Sequence, residues 1–447
     1  MKERVRKGLH FLICLQLLCV PGTLPAQVRE LWRTGLTNSF IPFAAYRLRT
    51  AVIDQGANTI VGGGIATSLA DSVSSGFVAK FDSQGNKVWE VQTGANAFNG
   101  IDALEVDSDG NIFVTTRLDP FSEERTLVLM KLSPEGKELW RAVEHSVMQT
   151  SDSYGIGSAL KVDAAGNPAV TTILISDLSS NTRVSQQLVT KFDGAGRNLW
   201  RTMLPGYGYF LYQASASRPL AVNESGGVTI GGMYSGAPLL SNVSIRGFLA
   251  TLDENGRLEW WTDDYKGDEQ PAYYPSVLVN SKGIIGAAAL GEGAFFFSQR
   301  GRALHTVPDG DRVLHVTPQG GFLVYGRGYL FAVNSTGNHE QWRFAPRFSG
   351  LWDAVADGVA DGTSGWIMAG AASLLASGVG FAKIDGDGNE LWRAEFPYYG
   401  LEHDPNEYLF QNVFLRARDG TLRVVGALSG SFPLYARGIT VAAFVSP

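Results

Sequence analysis

Short runs of apolar residues recur along the whole chain, and turns rich in glycine, aspartate and asparagine separate them. Residues 76–81 and 87–91 form one such pair of runs, joined by the turn that begins at Asp82. The Asp side chain can accept a hydrogen bond from the backbone two residues on, and Gly85 can take the positive φ of a tight reversal. The pattern predicts antiparallel hairpins.

One phrase within these turns, Asp-x-x-Gly-x-x-x-Trp, shows that the chain is built from repeats. Copies begin at Asp82, Ser133, Asp193, Asp253, Ser298, Asn334 and Asp385. The copy at Ser298 has His305 in place of Trp. The starts are 51, 60, 60, 45, 36 and 51 residues apart. Such spacings are typical of a propeller or a solenoid rather than of independent domains.

A second hairpin with the same turn chemistry precedes most copies, for example at Asp107 and Asp163. Two hairpins make a four-stranded antiparallel unit of the size of a propeller blade. The last unit, from residue 408, has only three strands, and residues 28–34 around Trp32 match its missing fourth strand. The sequence therefore predicts an all-β fold: one eight-bladed β-propeller over residues 27–447, closed by the N-terminal strand, which completes the last blade.

Residues 1–26 differ from the rest in composition. A basic start precedes the apolar run Phe11–Val20, and a small residue, Ala26, ends the segment. This order predicts a secretory signal peptide cut after Ala26, and hence a secreted or periplasmic protein, possible association with the outer surface being left open. An uncleaved membrane anchor is the alternative, although the apolar run is shorter than a spanning helix needs.

Cleavage would change both the charge and the cysteine count. The 37 basic and 43 acidic side chains would become 33 and 42, so the formal charge would pass from -6 to -9. Such a charge argues against a nucleic-acid partner, which requires a basic surplus. Both cysteines, Cys14 and Cys19, would leave with the leader, so no disulfide could stabilise the mature chain.

The phrase at residues 77–89, followed by residues 103–114, resembles the bacterial β-propeller repeats of exported proteins. Its Gly-x-x-x-Trp element also resembles the tryptophan-docking motif of quinoprotein-type propellers. The resemblance covers nearly all of residues 28–447, with weaker matches in blades five and six. It implies the fold and little about function. Quinone binding is not expected, because the mature chain lacks the cysteine pair and the inserted cofactor loop of those enzymes.

The repeated tryptophans occupy one position of the repeat, so each is expected to pack between neighbouring blades. They are Trp32, Trp89, Trp140, Trp200, Trp260, Trp342 and Trp392. The lysine before several turns, as at Lys80 and Lys131, is either a solvated strand residue or an inter-blade partner.

The motifs of common catalytic and metal sites are not found. The five histidines after the leader form no metal-spaced pair, and the chain has neither a nucleophile elbow nor a phosphate-binding glycine loop. The turns at Asp107 and Asp385 imitate a calcium loop but lack its distal glutamate. We therefore expect no catalytic residue, no cofactor and no metal.

Longer connections open on the face opposite these turns, for example residues 176–186 and 235–246. Three inter-blade loops on this long-loop face, residues 205–212, 263–274 and 397–408, combine tyrosines, which offer rigid contact area, with carboxylates, which accept hydrogen bonds from hydroxyl groups. The candidate binding residues are Tyr207, Tyr209, Tyr265, Tyr273, Tyr274, Tyr398, Tyr399, Glu402, His403 and Asp404.

Two function classes stay open on this basis. The favoured one is an exported, non-catalytic and monomeric binding or scaffold module for an extracellular glycan or an exported protein. The alternative is a polysaccharide-degrading hydrolase or lyase, with Asp264, Asp268, Glu402, His403 and Asp404 as acid/base candidates. The tyrosines can also serve only to pack the loops onto the blades, in which case this face binds nothing.

Overall fold

The computed structural model describes residues 28–37, 45–66, 73–93, 99–118, 124–147, 159–179, 182–205, 209–210, 219–234, 246–262, 276–289, 293–317, 319–346, 354–360, 365–371, 379–396, 408–409, 414–418, 420–429 and 436–445. Every regular element in these ranges is a strand. The strands form eight antiparallel sheets, which are the blades. The predicted all-β, eight-bladed propeller is thus confirmed.

Blades 1 to 4 follow one another along the chain after the N-terminal strand β1 (Arg29–Thr37). Blade 1 is β2 (Ala45–Ile53), β3 (Thr59–Ala66), β4 (Val73–Phe81) and β5 (Lys87–Gln92). Blade 2 is β6 (Asn99–Val106), β7 (Ile112–Leu118), β8 (Glu124–Leu132) and β9 (Glu138–Val147). Blade 3 is β10 (Ala159–Val162), β11 (Pro168–Ser179), β12 (Thr182–Phe192) and β13 (Asn198–Met203). Blade 4 is β14 (Tyr209–Phe210), β15 (Leu220–Val222), β16 (Val228–Tyr234), β17 (Arg246–Leu252) and β18 (Leu258–Thr262).

Blades 5 to 8 complete the ring. Blade 5 is β19 (Ser276–Val279), β20 (Ile285–Ala289), β21 (Gly293–Phe297) and β22 (Ala303–Val307). Blade 6 is β23 (Arg312–Val316), β24 (Phe322–Gly326), β25 (Tyr329–Val333) and β26 (Glu340–Phe344). Blade 7 is β27 (Ala354–Ala360), β28 (Trp366–Ala371), β29 (Val379–Ile384) and β30 (Glu390–Phe396). Blade 8 is β31 (Tyr408–Leu409), β32 (Phe414–Arg418), β33 (Thr421–Ser429) and β34 (Ala436–Val445), with β1 as its outer strand.

The two ends of the chain close the ring by sharing blade 8. Strand β1 pairs antiparallel with β34, from Arg29 opposite Val445 to Thr37 opposite Gly438. The inner strands contact one another in ring order, and β32 of blade 8 contacts β2 of blade 1. The predicted closure by the N-terminal strand is confirmed, and no disulfide takes part in it.

The buried apolar side chains of the described residues form eight clusters, each lying between two neighbouring blades. Between blades 8 and 1, for example, Leu36 and Val441 pack with Leu48, Val61 and Phe77. The equivalent cluster between blades 1 and 2 includes Ile60 and Val128, both fully buried. Because each cluster needs side chains from two blades, a blade is stabilised mainly by its neighbours in the ring.

Each outer strand carries a β-bulge immediately before the repeated tryptophan position. In blade 1 the register passes from Phe81 opposite Lys87 to Lys80 opposite Trp89, so Val88 has no counterpart on β4. Val88 and its equivalents Leu31, Leu139, Leu199 and Leu391 are exposed. Bulges of this kind interrupt the free edge of a sheet and hinder edge-to-edge association.

One loop prediction is wrong. Residues 176–186 were expected to form a long connection on the long-loop face, but β11 extends to Ser179 and β12 begins at Thr182. The two strands pair along this stretch, with Ser176 opposite Val184 and Ile175 opposite Ser185. The run of serine and asparagine suggested a loop, whereas the alternating Ile173, Ile175 and Val184 extend the ladder.

Candidate functional site

The predicted binding residues lie almost entirely outside the described ranges. Nine of them are outside: Tyr207, Tyr265, Tyr273, Tyr274, Tyr398, Tyr399, Glu402, His403 and Asp404. The tenth, Tyr209, begins β14, and its backbone pairs with Tyr234. Tyr234 ends β16, so Tyr209 lies at the end of blade 4 that faces away from the turn at residues 223–227. This is the long-loop face, as expected for Tyr209.

The inner strands of blades 4 and 8 are both interrupted near this face. In blade 4, Phe210 pairs with Met233 and Leu220 pairs with Ile230. Two residues separate the partners on β16, whereas nine separate Phe210 from Leu220, so seven residues exceed what the ladder can hold. In blade 8, Leu409 pairs with Leu428 and Phe414 with Val425. Four residues separate Leu409 from Phe414, whereas two separate their partners on β33, an excess of two residues. Blades 4 and 8 lie opposite each other in a ring of eight, so the two interruptions occur on opposite sides of the ring.

Smaller bulges occur on other inner strands. Arg49 of blade 1 lies between the pairs Leu48–Gly63 and Thr50–Gly62 and has no counterpart on β3. Blade 7 has the same irregularity between Val355 and Asp357. Bulges are frequent beside functional sites, where they redirect a side chain. Sequence reasoning missed them because a single extra residue leaves no mark on the repeat spacing.

The opposite face of the ring carries the hairpin turns, and six of the repeated tryptophans contact it. Each ring lies against the turn glycine of the next blade, and its Nε1 donates to the backbone carbonyl two residues before that glycine. The six donor–acceptor pairs are Trp32 to Ser83, Trp89 to Pro134, Trp140 to Gly194, Trp200 to Glu254, Trp260 to Gln299 and Trp342 to Gly386, at 2.7–3.0 Å. These rings connect neighbouring blades.

A cation reaches the same carbonyl in several blades. Lys80 Nζ donates to the carbonyl of Pro134 at 3.2 Å, and Lys131 Nζ to that of Gly194 at 3.5 Å. Each lysine also forms an ion pair within its own blade, Lys80 with Asp54 at 2.9 Å and Lys131 with Asp107 at 3.2 Å. These aspartates begin the inner turn, which joins the first two strands of the blade. Of the two roles left open for these lysines, that of inter-blade partner is the one the structure shows, because both are largely buried.

Blade 8 places its cation on a different strand. Ala443 lies opposite Trp32, as Lys80 lies opposite Trp89 in blade 1. Arg423 of β33 is paired with Ala443 from the other side. The buried Arg423 donates through Nη2 to the carbonyl of Ser83 at 3.5 Å and stacks 5.3 Å from the Trp32 ring. The cation is thus retained at the carbonyl although the lysine has been lost.

The interface between blades 5 and 6 lacks its tryptophan and uses an amide instead. His305 occupies the tryptophan position and stacks against Phe296, with ring centroids 6.4 Å apart. The carbonyl of Ser335, which would accept from the missing tryptophan, accepts from Asn280 Nδ2 at 2.9 Å. The same amide donates to the carbonyl of Gly320 at 2.7 Å.

Three carboxylates of the inner turns, each with less than a tenth of its side chain exposed, are expected to make the fold sensitive to acid. Burial opposes the charged form of Asp54, yet hydrogen bonds from Lys80 and Asn58 outweigh it, so the pKa of Asp54 lies below its usual value. The same balance of burial against lysine and asparagine hydrogen bonds lowers the pKa of Asp107 and Asp163. All three carboxylates therefore stabilise the folded chain in their ionised form.

The free energy of unfolding is accordingly expected to fall as the pH drops below about 4, the ordinary pKa of an aspartate. A carboxyl with a lower pKa in the folded state stabilises fully above its unfolded pKa, and the contribution is lost as the pH falls through the folded pKa. Urea unfolding at several pH values between neutral and about 3 measures the slope of the free energy of unfolding against pH. The triple variant D54N/D107N/D163N should show a shallower slope; an unchanged slope would contradict this origin.

A small cavity lies between blades 1 and 2 and has a volume of about 110 Å³. Its lining is mostly aliphatic, including Val78, Val128 and Met130, and also contains Glu138 and Arg141. The volume is far below the roughly 300–1,000 Å³ of typical ligand pockets. We therefore assign this cleft no ligand.

The described residues contain no group of three or more His, Cys, Asp or Glu side chains placed to hold a metal ion. Within the same ranges, no helix is long and apolar enough to cross a membrane.

Comparison with known proteins adds little to this geometry. No family model matches the chain, and no curated protein matches it. A crystal structure described as the eukaryotic initiation factor matches with a TM-score of 0.43 and 12% identity, over 83% of this chain and 96% of that chain. The polysaccharide lyase Uly1 matches with a TM-score of 0.47 and 9% identity, over 92% of this chain and 91% of that one. Likeness at this level carries no argument about activity, and the resemblance to exported repeat proteins stays a prediction.

Proposed function

We propose that the protein is an exported, non-catalytic propeller that binds an extracellular glycan or an exported protein through its long-loop face. The observation that carries the proposal is the interruption of two opposite inner strands, at Phe210 and Leu409, near this face. Each interruption follows, along the chain, a loop that carries the candidate tyrosines, since Tyr207 precedes β14 and Tyr398 and Tyr399 precede β31. Binding residues are commonly held on such loops by a rigid frame.

The use of the opposite face supports this assignment. There the tryptophan rings, the lysines and the first aspartates of the turns are engaged in contacts between or within blades. Side chains held in this way position the blades. The long connections, in contrast, differ in length and composition from blade to blade.

The proposal predicts a loss of binding when the loop tyrosines are shortened. We expect the mature chain to bind at least one member of a panel of glycans and exported proteins, without releasing reducing sugar. Changing Tyr265, Tyr273 and Tyr399 to Ala should weaken that binding at least about tenfold, because each aromatic anchor of an interface contributes on the order of 1 kcal/mol or more. Isothermal titration calorimetry of wild type and variant measures the change.

Tyr329 provides the matched control. It is an exposed tyrosine at the β24–β25 turn of blade 6, on the same face but outside the three loops. Tyr329→Ala should leave the affinity within about twofold of wild type. Unchanged binding by the triple variant would show that the tyrosines only pack the loops. Release of reducing sugar from a bound polysaccharide would instead establish the polysaccharide-degrading alternative, hydrolase or lyase.

A further inference from the structure

The turn face of blade 5 concentrates positive charge in a chain that is acidic overall. Lys282 lies in the inner turn, between β19 and β20, and Arg300 and Arg302 lie in the outer turn, between β21 and β22. All three side chains are exposed. The two turns adjoin, because a Cβ atom added at Gly283 would lie 3.0 Å from Gln299 Oε1. We call Lys282, Arg300 and Arg302 the blade 5 basic patch.

The positive charge of the patch is not offset locally, because blade 5 has neither of the turn aspartates found in blade 1. Asn280 and Ser298 occupy the positions of Asp54 and Asp82. Asn280 Oδ1 still accepts from the backbone of Lys282 at 3.0 Å, and Ser298 Oγ from that of Arg302 at 3.1 Å. The turns thus keep the capping hydrogen bonds while their two carboxylates are removed.

Blade 3 shows what the missing carboxylate does elsewhere. Arg197 holds the position of Arg302 in its turn, and its Nε contacts Asp193 Oδ2 at 2.6 Å. Within the described ranges, Lys282, Arg300 and Arg302 form no ion pair with a carboxylate. The two turns of blade 5 (280–284 and 298–302) sum to a charge of +3, whereas the equivalent turns of blades 1 to 4 and 6 sum to between -2 and 0.

The surroundings of the patch are polar. Lys282 Nζ contacts the hydroxyl of Ser335 at 2.7 Å, and Gln299 and Asn338 are exposed nearby in the outer turns of blades 5 and 6. None of the exposed large apolar side chains of the described residues lies in these turns. A protein partner needs an apolar or aromatic anchor at the centre of its interface, which this surface does not offer. A hydrated polymer with acidic groups and hydroxyls fits it.

We propose that the blade 5 basic patch binds an acidic polysaccharide. The planar guanidinium groups of Arg300 and Arg302 pair with its sulfate or carboxylate groups, and Lys282 adds a third charge. Each exposed ion pair is weak by itself, so the repeated charges of a polymer are needed for stable attachment. The patch lies on the face opposite the long loops, so it is independent of the function proposed for them.

The test compares dextran sulfate with neutral dextran of the same length, at an ionic strength of about 0.15 M. Wild-type protein should bind the first polymer and not the second. The variant R300T/R302N gives blade 5 the residues that blade 6 has at the same positions, Thr336 and Asn338. It should bind dextran sulfate about tenfold more weakly, the combined effect of two exposed charges.

The matched control is R197N/R257N, which changes the net charge by the same amount at the fourth position after the turn aspartates of blades 3 and 4. It should stay within about twofold of wild type, because Arg197 is neutralised by Asp193. Equal weakening of both variants, or no binding of dextran sulfate by wild type, would overturn the proposal. So would polyglutamate that binds as tightly as dextran sulfate and depends equally on Arg300 and Arg302, since that would indicate an acidic protein partner.

Discussion

Deleting residues 28–34 should abolish the cooperative unfolding transition or lower its midpoint by more than about 15 °C. The deletion removes most of β1, including Trp32, whose indole donates to Ser83 and packs on Gly85 of blade 1. It also uncovers Ala442 and Phe444 of β34. Burying a large apolar side chain contributes about 1.5–3 kcal/mol, so the summed loss approaches the total stability of a domain, about 5–15 kcal/mol.

Two companion measurements separate loss of closure from general damage. Leu31→Ser in the same strand should cost less than about 0.5 kcal/mol, because Leu31 is an exposed bulge residue. A synthetic peptide of residues 28–37 should restore the transition of the shortened chain when added in excess, since it supplies the missing outer strand. A melting curve that the deletion leaves unchanged would show that β1 does not hold the ring closed.

Replacing Gly196 with valine should destabilise the protein by about 4 kcal/mol, whereas the same change at Gly166 should cost about 1–2 kcal/mol. Both glycines have nearly the same positive φ, +82° and +79°, so both changes carry the same backbone strain. They differ in their surroundings. A Cβ atom at Gly196 would lie 2.8 Å from the Trp140 ring, while nothing lies within 4 Å at Gly166.

The difference between the two variants therefore measures the packing of a tryptophan on the turn of the next blade. Displacing Trp140 also breaks its hydrogen bond to the carbonyl of Gly194. Urea unfolding followed by tryptophan fluorescence and by circular dichroism gives both free energies. Equal losses at Gly166 and Gly196 would show that the tryptophan contributes nothing beyond the backbone conformation of the turn.

The fold could be predicted because the turns of most blades have a recognisable local sequence pattern. A turn needs local residues at fixed spacing, so Asp193, Gly196 and Trp200 are readable without knowledge of the tertiary structure. The closure was readable for the same reason, since residues 29–33 repeat the strand that follows each turn. The loop predicted at residues 176–186 is wrong, because their serine-rich composition favours a loop whereas the alternation of apolar and polar residues continues the strands.

The replacements within the ring could not be predicted. Arg423 stands in for a lysine on another strand, and Asn280 stands in for a tryptophan of another hairpin. Both replacements depend on a backbone carbonyl of the next blade, so no local sequence pattern predicts either of them. The proposed binding loops are long and carry no repeat, so only the chemical type of their residues points to a site. Of the candidate residues, the structure describes only the backbone of Tyr209.

The pairing of Arg29 with Val445 has a consequence for the timing of folding. The hairpins of blades 1 to 7 join residues that are close in sequence and can form as the chain is made, but β1 is synthesised first and its partner last. During translation and any transport across a membrane, β1 therefore has no partner within its own blade. A nascent chain stopped anywhere before β34 holds an open arc, and the ring becomes a closed body only when the last strand emerges.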